Sequence, residues 1–229
     1  LEVEVIKIHD VAQGSEEWIA ARCGLLTASE MSRIITPTTL KPAANDKATA
    51  HLYELLAQRI TRYVEPTFIS DDMMRGNLDE VDARALYAKH YAPVQEVGFV
   101  TNDKWGFTIG YSPDGFVGDD GLIECKSRRQ KFQVEIIVNH KTDPAHMIQI
   151  QTALLVTGRE WLDYVSYSGG LPLFVLRAYP DNKIMEAILA AAEHFETALT
   201  NRADDYKCAL AHFAKMIPTE RRVEQEMFI

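Results

Sequence analysis

The stretch Gly110-Tyr-Ser-Pro-Asp114-Gly-Phe-Val-Gly-Asp-Asp-Gly121-Leu-Ile-Glu124-Cys125-Lys126 decides how this chain is read. Its spacing predicts a β-hairpin. One arm ends near Asp114, Gly118-Asp119-Asp120-Gly121 makes the turn, and Leu122 to Lys126 returns as the second strand. Strand side chains alternate between faces, so Glu124 and Lys126 point one way and Cys125 the other. Two carboxylates and an amine then meet on one patch. Phosphodiester hydrolysis needs an activated water and relief of charge on the leaving oxygen, both of which a bound metal supplies. Mg²⁺ takes hard oxygen ligands, which Asp114, Glu124 and the backbone carbonyl of Cys125 can offer, and the Lys126 ammonium can steady developing charge. A plainer reading stays open. Ser112-Pro113-Asp114-Gly115 is also a good β-turn, with proline second and glycine fourth, and Glu124 and Lys126 would suit the wet face of an edge strand.

Working outward, residues 2–8 alternate loosely as a short edge strand, and Ser15 caps a helix that stops at Gly24. Thr27-Ala-Ser29-Glu30 reads as a capping box opening a helix through Ile34. Residues 36–46, rich in turn residues, are expected to be a mobile loop. Asp46 opens a helix to about Tyr63 with Leu52, Leu55, Leu56 and Ile60 inward. Ser70 or Asp71 opens another through Leu78, Val81, Leu86 and Tyr87. From Val94 the period becomes two. Val94–Thr101, Trp105–Tyr111 and Leu122–Lys126 read as a three-strand meander, followed by helices at 130–138 and 143–158, strands at Trp161–Tyr167 and Leu173–Tyr179, and helix over 181–213. The tail from Pro218 is polar. This order predicts an α/β fold, a central mixed β-sheet flanked by helices, in one domain spanning 1–229.

With 229 residues, 47% apolar and 25% charged, the chain has the composition of a globular protein. The net charge of -9 argues against a simple basic DNA-binder but leaves room for a basic groove on an acidic body. The three cysteines lie far apart, with no Cys-x-x-Cys to suggest zinc or a redox pair. With no leader pattern and no membrane-length apolar run, a cytoplasmic protein without a membrane partner is expected. Lys126, Arg128, Arg129 and Lys131 place four cations in six positions beside the proposed site. They read either as a phosphate-tracking groove or as a solvated face. Met73 is either core or an apolar wedge at a duplex end.

Asp114, nine intervening residues and Glu124-Cys125-Lys126 match the D-(x)n-E-x-K signature of the restriction-endonuclease-like nucleases. Trp18-Ile-Ala-Ala-Arg22-Cys-Gly24-Leu-Leu-Thr27-Ala-Ser29-Glu30, Arg75-Gly76-Asn-Leu-Asp-Glu80, Ser112-Pro-Asp114-Gly115 and Met147-Ile-Gln149-Ile-Gln151 resemble blocks of the phage lambda exonuclease family of viral recombination nucleases. The resemblance covers about residues 14–160. Here Cys125 is the middle residue of the E-x-K motif, Ser127-Arg128 follow it, Arg75 stands where some members carry an aromatic, and Lys41 is the nearest cation in the 36–46 loop.

The resemblance implies that Glu80, Asp114, Glu124 and the Cys125 carbonyl bind Mg²⁺, with Mn²⁺ as a substitute, and that Lys126 is the catalytic lysine. It places Arg22, Ser29, Ser112 and Gln151 on the terminal 5′-phosphate or the scissile phosphate, and it suggests DNA contacts from Arg75, Arg128, Arg129, Lys131, Lys41 and Met73. Without it, Glu80 would be an ordinary i,i+4 partner of Arg84, and Gln149 and Gln151 polar helix-surface residues. The implied activity is 5′-to-3′ digestion of linear double-stranded DNA, releasing mononucleotides and leaving a 3′ overhang for a single-strand annealing protein. The enzyme would be a homotrimeric ring in the cytoplasm of the host cell if phage-encoded. An endonuclease of the same core and a non-catalytic DNA-binding module are the alternatives.

Overall fold

A computed structural model describes residues 5–66, 70–213 and 216–221. The chain opens with β1 (Ile6–His9) and α1 (Glu16–Arg22), whose N-cap Ser15 accepts from Trp18 N as the sequence predicts. Then come β2 (Leu26–Thr27), α2 (Met31–Ile34), β3 (Ile35–Thr36) and β4 (Lys41–Pro42). The residues expected to form a mobile loop thus include all but Ile35 of a small antiparallel hairpin, with Leu40 in the left-handed region (φ 56°) and its N–H on Thr36 O. α3 (Asp46–Thr61) starts from Asn45 rather than Asp46, because the Asn45 side chain accepts from Ala48 N. α4 (Asp71–His90) is capped by Ser70.

The β-rich stretch departs from the expected meander. β5 (Phe99–Asn102) and β6 (Ile109–Tyr111) join β1 and β2 in a four-stranded sheet of order β1-β5-β6-β2. β7 (Gly115–Val117) and β8 (Gly121–Ser127) belong to a second four-stranded sheet, of order β10-β9-β8-β7, with β9 (Trp161–Tyr167) and β10 (Phe174–Ala178). The chain therefore leaves one sheet at Tyr111 and enters the other at Gly115, and the Ser-Pro-Asp segment is the crossing. Proline has no N–H to give a ladder, which suits a break between sheets. α5 (Gln130–Asn139) and α6 (Pro144–Thr157) connect β8 to the parallel strand β9, and α7 (Asn182–His212) follows β10.

β8 is covered on both faces. Ile123 and Cys125 pack with Ala83 and Tyr87 of α4 and with Val165, while Leu122 faces the main core with Leu162, Tyr164 and Ile150. α4 rests on the sheet through Ala83 and Tyr87, four residues apart, and the Tyr87 hydroxyl donates to Asp163 Oδ2 at 2.6 Å. Leu78, Val81 and Leu86, through which the sequence reading carries this helix, are exposed, as is Met73, for which that reading allows either core or wedge. Ile60 on α3 is likewise exposed, whereas Leu55 and Leu56 are buried. The predicted strand at 2–8 is described only from residue 5, and most of the tail after Pro218 lies outside the described residues.

Candidate active site

The alternation of β8 fixes the centre of the site. Glu124 is 3% exposed in the middle of a doubly covered strand. A carboxylate so placed must be paired or used, because burying it alone is costly. It is paired on both oxygens: Oε2 accepts from Tyr111 Oη at 2.8 Å, and Oε1 accepts from Lys126 Nζ and from Gln149 Nε2, each at 2.6 Å. Glu124 and Lys126 share a face, as their spacing demands. Cys125 faces away into the α4 cluster, where burial raises its thiol pKa.

Asp114 reaches Glu124 by register. Gly115 pairs with Ile123, and continuing that antiparallel register by one residue sets Asp114 beside Glu124. Its Oδ2 accepts from Cys125 N at 2.6 Å, and its carbonyl accepts from Arg84 at 3.0 Å. The third acid comes from α4. Glu80 pairs with Arg84 at 3.4 Å, the expected i,i+4 contact, and is also within electrostatic reach of Glu124 and Lys126.

The electrostatics follow from burial and crowding. Burial, then Glu124 and Glu80, hold the Asp114 carboxyl well above the usual carboxylate range. Burial also raises Glu80, with Arg84 opposing and Glu124 reinforcing. Burial disfavours the Lys126 ammonium, but Glu124 and Asp114 outweigh it and its pKa rises. Lys126 is therefore a cation here rather than a base. Tyr111 is raised well above its ordinary value by burial and then by Glu124, so it remains a hydroxyl donor. Among the described residues, no three His, Cys, Asp or Glu side chains converge closely enough to hold a metal as they stand. Even so, Glu80, Asp114 and Glu124 lie around the single Lys126 ammonium, and all offer hard oxygens. That donor set fits Mg²⁺.

The other predicted residues divide. Arg22 donates to Ser112 Oγ at 2.8 Å and stacks over Trp18, whose Nε1 donates to the same oxygen at 2.9 Å. Ser112 lies two residues before Asp114 in the chain, on the segment that crosses between the sheets. Ser29 is not in the first turn of a helix: Thr27 ends β2, residues 28–30 form a turn, and α2 starts at Met31 with no side-chain cap. The exposed Ser29 contacts Thr27 Oγ1 at 3.3 Å. Gln151 is also placed apart. It is 1% exposed, accepts from Asp181 N and donates to Tyr179 O, tying α6 to the start of α7. Arg75 approaches Ser127 Oγ at 3.4 Å near the end of β8. Arg128 and Lys131 lie along the Phe132 ring, Arg129 is exposed at the start of α5, and Lys41 is exposed on the β3–β4 hairpin.

Three site residues escaped the sequence reading. Gln149, not Gln151, reaches Glu124. The signal was present, because residues two apart on a helix point about 200° apart and only one of the pair can face the strand. Tyr111 and the Arg84 contact to Asp114 O had no signal beyond proximity in the chain.

The model of the YqaJ-like viral recombinase domain matches residues 17–160. No curated protein matches the chain. Among solved structures, the chain is similar to an alkaline exonuclease, LHK-Exo, from Laribacter hongkongensis. The two are 33% identical over 87% of this chain and 100% of the other, with a TM-score of 0.77. The same protein in complex with dAMP gives 33% identity and a TM-score of 0.78. A phage-related exonuclease from Haemophilus somnus shares the fold at 13% identity and a TM-score of 0.55, over 78% of this chain and 96% of that one.

Proposed function

The chain belongs to the YqaJ-like viral recombinase domain family, a lambda-exonuclease-like nuclease group, and on that premise we propose that it is an Mg²⁺-dependent 5′-to-3′ exonuclease acting on linear double-stranded DNA. The observation that carries the reading is the buried Glu124, hydrogen-bonded by Tyr111, Lys126 and Gln149, with Asp114 held beside it on the Cys125 N–H. Products are mononucleotides and a 3′ overhang, the latter suited to a single-strand annealing protein. A homotrimeric ring would account for processive digestion, and Mn²⁺ would substitute for Mg²⁺.

Asp114 and Glu124 would hold the metal, with Glu80 and the Cys125 carbonyl completing the oxygen set. Bound there, the ion supplies an activated water and charge relief at the phosphate. The chain's own residues do the rest. Lys126, kept cationic by the two acids, sits where it can neutralise a phosphoryl oxygen. Gln149 and Tyr111 fix the Glu124 carboxylate, so it is preorganised rather than free to rotate. Arg22 presents a guanidinium suited to forked phosphate contact, and with Ser112 it offers a seat for the terminal 5′-phosphate.

End-labelled linear duplex, with and without a 5′-phosphate and with and without Mg²⁺, tests this. Release of the 5′ label first, only with metal, and its loss in Lys126→Ala is the expected result. Cutting of a covalently closed circle would favour an endonuclease, and nucleotide release unaffected by Lys126→Ala would remove the site.

A further inference from the structure

α1 carries Arg22 at its last position, yet none of its seven residues is buried. Its orientation therefore depends on specific contacts: Trp18 on Ser112, the Arg22 guanidinium over the Trp18 and Phe99 rings, and the turn at its C-terminal end. At the C-terminal end the backbone turns sharply through Gly24, whose φ of +73° is in the left-handed region. Leu25 N closes the turn on Arg22 O at 3.0 Å.

Two neighbouring side chains near the end of α3 grip this glycine. Gln58 Oε1 accepts from Gly24 N at 2.8 Å, and Arg59 Nε donates to Gly24 O at 2.8 Å. Cys23 Sγ adds a weak contact to Gln58 O at 3.6 Å. Arg59 is itself locked from a third direction. Its two terminal nitrogens fork onto both carboxylate oxygens of Glu196 on α7, each at 2.7 Å. The approach is close: a Cβ at position 24 would lie 2.7 Å from Arg59 Cγ. A bidentate guanidinium–carboxylate pair fixes both direction and distance. Glu196 lies beyond residues 17–160, so a residue outside the matched domain sets the geometry of one within it.

The geometry points to Glu196 and Arg59 as positioning residues that aim Arg22 at the terminal 5′-phosphate, setting the enzyme's preference for phosphorylated ends. The inference rests on the reading of Arg22 as a phosphate contact. Through the Gly24 turn, the clamp sets where the α1 end stands relative to Ser112, which the Arg22 and Trp18 side chains must both reach. Small misplacements of a positioning group lower rates steeply without unfolding anything.

The test compares initial rates at limiting DNA on two duplexes of one sequence, bearing a 5′-phosphate or a 5′-hydroxyl. Two variants are used: Glu196→Gln, and the double variant Arg59→Met with Glu196→Leu. The second replaces a partly buried pair with apolar groups of similar size, a change often tolerated by the fold, and thermal unfolding verifies each. The phosphate-to-hydroxyl rate ratio is expected to fall about tenfold in both variants, with the rate on hydroxyl ends within about twofold of wild type. Equal loss on both duplexes, or an unchanged ratio, overturns the positioning role while leaving the nuclease reading intact. Indifference of the wild-type protein to the phosphate overturns the clamp and the Arg22 assignment together. Metal-dependent nucleotide release in that same assay reports separately on the nuclease.

Discussion

Gln149 Nε2 lies 2.6 Å from Glu124 Oε1, the same oxygen that accepts from Lys126 Nζ at 2.6 Å. A helix residue and a strand residue thus share one carboxylate oxygen, and α6 becomes part of the candidate site. Gln151, two residues on, faces the opposite way and holds Tyr179 and Asp181.

The two glutamines therefore separate function from stability. Gln149→Leu should lower kcat by about 10- to 100-fold, as loss of a positioning contact does, with little change in unfolding midpoint. Gln151→Leu should cost about 1 kcal/mol in stability, since it strands the partly buried Asp181 N–H and Tyr179 carbonyl, while the folded fraction keeps its activity. Nuclease assays paired with urea unfolding distinguish them, and the reverse pattern would refute the assignment.

Asp114→Asn should stabilise the metal-free protein while abolishing its activity. The folded pKa of Asp114 is raised by burial, then by Glu124 and Glu80. A raised carboxyl contributes stability below its unfolded pKa and loses it as pH rises through the folded value. At neutral and alkaline pH the wild-type protein in EDTA bears that penalty, which asparagine removes while still accepting from Cys125 N. The unfolding midpoint of the variant should exceed that of wild type at pH 8, and the gap should close in acid. Activity should fall ~10³-fold, and the stabilisation on adding Mg²⁺ should shrink. A lower midpoint at pH 8 would contradict this.

Tyr111→Phe removes a hydroxyl donor from Glu124 Oε2 and leaves the ring in place. The expected effect is a roughly tenfold loss of activity at limiting Mg²⁺ that higher Mg²⁺ partly restores, since outer contacts of this kind tune metal affinity by 10- to 100-fold. Metal titrations of the two proteins give the answer, and superimposable curves would exclude the role.

His146 should make the protein acid-sensitive. Burial, then Lys126 and Arg128, lower its pKa to about 4, with its ring nitrogen 3.0 Å from the Tyr164 hydroxyl. The unfolded chain binds a proton near pH 6.5 that the folded chain takes up only near pH 4, so stability is lost as pH falls between those values. His146→Gln should flatten that slope by ~1–2 kcal/mol, allowing for partial solvent screening. Urea midpoints measured from pH 4 to 7 would show it, and parallel curves would remove His146 from the account.

The Glu124–Lys126 pair was legible because a strand alternates with period two whatever surrounds it. Helix starts at Ser15, Ser70 and Asp143 were legible because a capping side chain acts on backbone two or three residues away. The failures have physical causes too. Thr27-Ala-Ser-Glu30 has the capping-box pattern, but the parallel pairing of Leu26 and Thr27 with Ile109 and Gly110 claims Thr27 for a sheet. Leu78 and Val81 have a core helix's spacing, but α4 meets the sheet on its Ala83–Tyr87 side.

By itself the sequence determined which residues could share a strand face or a helix cap, since those relations depend on local backbone geometry alone. It also determined the acidic pair, the lysine and the family resemblance. Only the tertiary structure decided that Tyr111 and Gly115 belong to different sheets, that Gln149 rather than Gln151 turns to Glu124, and that Glu196 reaches Gly24 through Arg59. Each of those joins residues through packing between elements, and such packing depends on the whole set of buried surfaces, which no local pattern encodes.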